Sequence, residues 1–248
     1  MSMSSRARPR ERRAAVIHTV PGPPDNDVLR ARMLTLTQGA STPLRDVSAG
    51  IRVQETFAIT GPSGAGKSTL LACLAGVLAP DAGEVWFNSR AVHAMDDKGR
   101  TALRRRHFGL IDGRTRLLPE LTVAENVALP LLLDRVRRTE AFALARHWME
   151  RLDVTAHAEA HPRGLDAALA RRAAVARALV ARPDVVFADE PAHGLSADES
   201  EHLMRILVSA TRSHGMTLVI ATRDPRVFAH ADRRLKLRGG RVDHRADG

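Results

Sequence analysis

Short, uninterrupted apolar runs mark this chain more clearly than any long alternation. Thr56-Phe57-Ala58-Ile59-Thr60 is apolar and β-prone, and Asp184-Val185-Val186-Phe187-Ala188 is a second run of the same kind. A strand buried on both faces of a parallel sheet needs apolar side chains at successive positions, so both runs predict such strands. Residues 69–78 read as a buried helix, and residues 139–152 have helical apolar spacing. Val85-Trp86-Phe87 reads as a strand after a turn at Pro80-Asp81-Ala82-Gly83, and Arg238-Gly239-Gly240-Arg241-Val242 reads as a hairpin. No apolar run reaches the ~18 residues of a membrane span, and residues 1–26 lack the apolar centre of a secretory signal. The expectation is a chain that neither crosses a membrane nor leaves the cytoplasm.

Candidate chemistry lies at the ends of the two apolar runs. The first leads into Gly61-Pro62-Ser63-Gly64-Ala65-Gly66-Lys67-Ser68, which matches G-x-x-x-x-G-K-S, and Thr69 follows at the start of the predicted helix. Glycines let the backbone approach phosphate oxygens, and the helix N-terminus offers unpaired N–H groups with partial positive charge. Lys67 is then placed to neutralise β- and γ-phosphates, and Ser68 to ligate Mg²⁺. The plain alternative is a Gly-rich turn before a helix; the strand before and the helix after argue against it. The second run ends in Asp189-Glu190-Pro191. A carboxylate at a strand's C-terminal end beside a phosphate loop is where Mg²⁺ is held, so Asp189 is a metal candidate. Glu190 is placed to polarise an attacking water. An ordinary strand ending in an acidic turn is the competing reading, and it loses weight beside an upstream phosphate loop.

Composition changes this picture little. With 248 residues and 44% hydrophobic content the chain can bury a full core. Cys73, the single cysteine, has no internal disulfide partner and reads as a small core residue. The formal net charge of +10 fits nucleic acid, anionic lipid or simple arginine richness, because net charge speaks to partners and not to fold. Arg6, Arg8, Arg10, Arg12 and Arg13 stand against Glu11, and a Pro/Gly/Asp-rich stretch follows. Residues 1–29 therefore read as a disordered basic tail, either lying on an anionic membrane surface or solvated.

The two phosphate motifs are joined by further segments on which the chain resembles the ATP-binding cassette of ABC systems, over residues 30–243. Leu117-Leu118-Pro119-Glu120-Leu121-Thr122-Val123-Ala124-Glu125-Asn126-Val127-Ala128-Leu129-Pro130-Leu131 is similar to the stretch after the glutamine loop in the lipoprotein-release, macrolide-export and cell-division subgroup. Ala174-Val175-Ala176-Arg177-Ala178-Leu179 resembles the helix after the family's signature, and Met216-Thr217-Leu218-Val219-Ile220-Ala221-Thr222 the strand before its histidine switch. The resemblance implies an α/β P-loop NTPase fold: a RecA-like core, an N-terminal antiparallel β-subdomain, and a helical subdomain inserted at about 98–165. It implies ATP and Mg²⁺ as cofactors, ATP hydrolysis, transmembrane permease subunits and a second cassette as partners, and a place on the inner face of the cell membrane.

Several positions depart from the family pattern. Residues 34–44 hold no aromatic residue to stack on adenine, which removes a contact of roughly 1 kcal/mol. Counting back from Leu117 puts Gly113 where the family has its water-sensing glutamine, with Asp112 and Arg114 as possible stand-ins. The signature falls on Leu165-Asp166-Ala167-Ala168-Leu169, where Asp166 also suits a helix N-cap. The dimer-contact aspartate becomes Ser196, and the switch histidine becomes Arg223. The Arg223 guanidinium either donates to a γ-phosphate or pairs with Asp224 or Asp189. His193 and His214 fall outside the aligned positions and read as surface residues. The favoured reading is a slowly hydrolysing ATP-binding subunit of a membrane transporter, with Glu190 and Arg223 as its catalytic candidates. A non-hydrolysing nucleotide-binding module is the alternative. A nucleic-acid-associated cassette is set aside, because the chain has one cassette and no heptad run.

Overall fold

The computed structural model describes residues 27–39 and 41–243. Residues 1–26 of the expected tail lie outside the described residues, whereas 27–29 open the first strand. Val28 and Leu29 explain that correction, for both are buried in the core. Strands β1 (Asp27–Gln38) and β2 (Ser41–Arg52) pair antiparallel. After β3 (Thr56–Thr60) and α1 (Lys67–Leu74), β4 (Ala82–Phe87) pairs with the free edge of β1, and β5 (Arg90–Ala91) with β4. These four strands form the antiparallel β-subdomain, in the order β2-β1-β4-β5.

The remaining elements run α2 (Asp97–His107), β6 (Phe108–Ile111), α3 (Val123–Leu133), α4 (Arg138–Arg151), α5 (Ala167–Leu179) and β7 (Val185–Asp189). They close with α6 (Ala197–Ser213), β8 (Thr217–Ala221), α7 (Pro225–Phe228), β9 (Arg233–Arg238) and β10 (Arg241–Val242). The second sheet has the order β10-β9-β3-β8-β7-β6 and is parallel except at β10. Its apolar runs are continuous because both faces are covered. Val185, Phe187, Val219 and Ala221 join the core shared with α1 and the β-subdomain, while Val186, Ala188, Leu218 and Ile220 join the core under α3 to α6. No helix of the described residues is long and apolar enough to cross a membrane.

Two boundaries differ from the sequence reading. Helix α1 begins at Lys67 and ends at Leu74, not at residue 78, because Gly76 takes φ 63° and the Val77 and Leu78 amides both return to the Ala72 carbonyl. A left-handed glycine at this point is a common helix stop. The helical insertion does not span 98–165 as one piece either. Strand β6 lies within that range and pairs with β7 in the central sheet, so the helical layer starts only after Ile111.

Strand β6 sits unusually close to α5. A methyl group at Gly109 would stand 2.4 Å from the Ala178 carbonyl oxygen. Gly109→Ala is therefore expected to cost about 1–3 kcal/mol by forcing strand and helix apart. A urea melt checks this: the midpoint should fall with the slope unchanged.

Candidate active site

The phosphate loop is shaped by what crosses behind it. Gly66 has φ 99°, and a Cβ there would lie 2.1 Å from the Pro43 carbonyl oxygen of β2, so only glycine fits. Lys67 follows as the first residue of α1, with no side-chain cap and no acidic residue in the first turn. The open N–H groups and partial positive charge of that turn suit an anion. Lys67 itself is only 7% exposed, and its Nζ donates to the Pro62 carbonyl at 3.0 Å. That bond leaves two of its three N–H donors for a ligand.

Strand β7 delivers the carboxylates to the same place. Ser68 Oγ donates to Asp189 Oδ1 at 2.9 Å, bridging 121 residues of sequence. A hydroxyl beside a carboxylate is a hard-oxygen donor set of the kind Mg²⁺ takes together with phosphate oxygens. Burial raises the Asp189 pKa; the Ser68 hydrogen bond opposes this, Glu190 and Asp112 add to it, and Lys67 again opposes it. A raised carboxyl pKa means that the ionised form is disfavoured in the folded chain. The contribution of the protonated carboxyl is complete below the unfolded value near ~3.9 and is lost as pH rises through the folded value. A cation beside Asp189 offsets that loss. If Asp189 takes Mg²⁺, the added cation is thus expected to raise Tm by a margin that shrinks as pH falls through the raised value. Thermal melts of the wild type and of Asp189→Asn check it, since the variant should lose the Asp189 part of the pH dependence.

Glu190 is held in a rare conformation. Its φ of 44° lies in the left-handed region, which costs a residue other than glycine on the order of 1–2 kcal/mol. Three hydrogen bonds offset the strain. The Glu190 amide donates to Ala221 O at 2.8 Å, Thr222 Oγ1 donates to Oε2 at 2.9 Å, and the Arg223 amide donates to Oε1 at 3.2 Å. Each carboxylate oxygen keeps a lone pair for a water.

These groups line one cavity of about 390 Å³, together with Ser63, Gly64, Asp112, Gly113, Arg114, His193 and Arg223. Gly113, at the expected glutamine position, stands against the backbone at the end of β7: a Cβ there would lie 3.1 Å from the Asp189 main-chain carbonyl oxygen and 3.5 Å from the Glu190 Cβ. Arg223 is exposed and also lines the cavity, and the ion pairs considered for it do not form. Asp224 is taken by Arg226, with Nη2 to Oδ2 at 2.6 Å, and Asp189 by Ser68. His193 is exposed, as expected, and lines the cavity, whereas His214 is half-buried with its ring 4.9 Å from that of Trp148. Asp166 caps α5 by accepting from the Leu169 amide at 2.7 Å, and Ser196 caps α6 in a reciprocal box with Glu199. Neither lines this cavity. Cys73 is buried, and its thiol pKa is pushed up to about 12 by burial, which leaves it unreactive.

A family model described as ABC transporter matches residues 44–193. The chain belongs to the ABC transporter family. It is 40% identical over 199 residues to the lipoprotein-releasing system ATP-binding protein LolD of Myxococcus xanthus, covering 80% of this chain and 89% of that one. It is 37% identical over 203 residues to the uncharacterized ABC transporter ATP-binding protein YbbA of Escherichia coli K12, covering 82% and 89%. Among solved structures, the dimeric cassette MJ0796 bound to ADP and Pi superposes with a TM-score of 0.82 at 29% identity, covering 87% and 97%. CbiO1 from Clostridium perfringens, part of the ABC transporter complex cbiONQ, gives 0.79 at 25% identity, covering 88% of each chain. The P-loop α/β fold, the ATP-binding cassette and the antiparallel subdomain are those of ABC ATPases.

One residue of this ABC site escaped the sequence reading. Arg171, on α5, is 5% exposed and donates to the carbonyls of Asp112, Gly113 and His193. An arginine in a helix rich in alanine and arginine reads as a solvated charge, and its carbonyl partners carry no sequence signal.

Proposed function

We propose that this cassette binds Mg-ATP at residues 61–69 and Asp189, hydrolyses it slowly through Glu190, and couples that cycle to a membrane transporter. The observation that carries the reading is the fixed Glu190 carboxylate, facing the same cavity as the Ser68–Asp189 pair and Lys67. Lys67 and the first turn of α1 grip the phosphates. Glu190 orients a water and accepts its proton on whichever of Oε1 and Oε2 the water meets. Mg²⁺ held at Ser68 and Asp189 would neutralise charge on the β- and γ-phosphates. Arg223, exposed at the cavity, donates to the developing charge but cannot take up a proton. Slowness follows from Gly113, which has no side chain to hold the water from the other side.

The partners in this proposal are transmembrane permease subunits and a second cassette, and the cassette works peripherally on the inner face of the cell membrane. A lipoprotein-releasing relative supports export or extraction from the membrane as the direction of work. A second reading, a cassette that binds ATP without turning it over, is supported by Gly113 and by the permanent charge of Arg223. Phosphate release by the purified chain with its membrane partners separates the two. Turnover above background supports the first, and tight ATP binding with no release supports the second.

A further inference from the structure

Arg171 stands in α5, nearly sealed from solvent, and no carboxylate among the described residues pairs with it. A buried cation is costly unless its donors are met. Here main-chain carbonyls serve the two Nη groups: Nη1 donates to Asp112 O at 2.9 Å, and Nη2 donates to Gly113 O at 2.6 Å and His193 O at 3.1 Å. Burial lowers its pKa from the ordinary arginine value, and the negative charge of Asp112 opposes this. Nε remains buried without a partner, so the guanidinium is committed to these three contacts.

The carbonyls belong to two loops that are remote in sequence. One follows β6 and carries Gly113; the other follows β7 and starts from Glu190. We propose that Arg171 is a positioning residue that locks these two loops into one unit, so that α5 fixes where residues 112–114 stand relative to Glu190. The planar fork suits this task, because it reaches several acceptors at fixed angles, which an ammonium does not. Arg177, further along α5, donates among the described residues to Arg116 O alone, at 2.8 Å, and so holds the first loop without the second. It serves as an internal control. The proposal rests on reading the cavity as the ATP site, but its test does not depend on turnover.

Amide hydrogen exchange on the full chain reads the clamp through amides bonded within each loop. Thr115 and Leu117 report on the first loop, and His193 and Leu195 on the second. Arg171→Gln is expected to speed exchange about tenfold or more in both, the effect of losing charge-assisted bonds from a locally opening segment. Arg177→Gln should speed the first alone. Arg171→Lys, which keeps the charge and is the milder variant if glutamine impairs folding, should give an intermediate rise in both. Where ATP turnover is measured, Arg171→Gln should lower kcat about tenfold with ATP affinity within about twofold. Unchanged exchange at His193 and Leu195 would overturn the proposal. So would a rise spread evenly over α5 and the core strands, which is the signature of general destabilisation. A chain without any turnover defeats the hydrolytic function and leaves the exchange result standing.

Discussion

Glu190→Gln is expected to lower ATP turnover about 100-fold or more while ATP affinity stays within about threefold. Glutamine has nearly the same shape and meets the same backbone strain at φ 44°, so the strand end and the cavity should survive. The side chain changes in two ways. An amide cannot accept the proton of the attacking water. It also offers one acceptor oxygen to two fixed donors, the Thr222 hydroxyl and the Arg223 amide, so one donor must face an NH₂ group. Lys67 and the first turn of α1, proposed to grip the phosphates, are untouched. Phosphate release under single-turnover conditions, paired with calorimetric ATP binding, checks both halves. Wild-type and variant rates that coincide above background would sink the role of Glu190, and a wild type with no release at all would favour the non-hydrolysing reading.

How far the sequence reached is clear from particular elements. The runs at 56–60 and 184–188 were legible because a parallel strand covered on both faces leaves an unbroken apolar signature, and the phosphate loop because its residues are contiguous. Asp166 as a helix cap was equally plain, since a cap depends only on the next three residues. Strand β6 was not legible. Its four residues sit between a charged helix and an irregular loop, and their strand character comes from pairing with β7, which only the tertiary fold supplies. The end of α1 was missed for a local reason, the left-handed turn at Gly76 inside an otherwise apolar stretch. Arg223 shows a different limit: the sequence allowed Asp224 or Asp189 as its partner, and side-chain geometry gave Asp224 to Arg226 and Asp189 to Ser68.

Lys67→Ala is expected to weaken ATP binding at least about 100-fold, because it removes two charge-assisted hydrogen bonds to phosphate worth about 1.5–3 kcal/mol each. The magnitude follows from burial. Lys67 is 7% exposed, so water and salt would screen its contact with the ligand little, and its bond to Pro62 O fixes the ammonium at the proposed phosphate position. The apo fold should change little, because truncation also removes the cost of burying an ammonium. Arg223→Ala provides the contrast. Arg223 lines the same cavity but is exposed, and exposed pairs contribute roughly 0–1 kcal/mol and fade with salt. Calorimetry with a non-hydrolysable ATP analogue at low and high ionic strength tests both variants together. The Lys67→Ala deficit should persist at high salt while the Arg223→Ala deficit shrinks towards zero. Affinity of Lys67→Ala within about fivefold of wild type would mean that the phosphates lie elsewhere than at the start of α1.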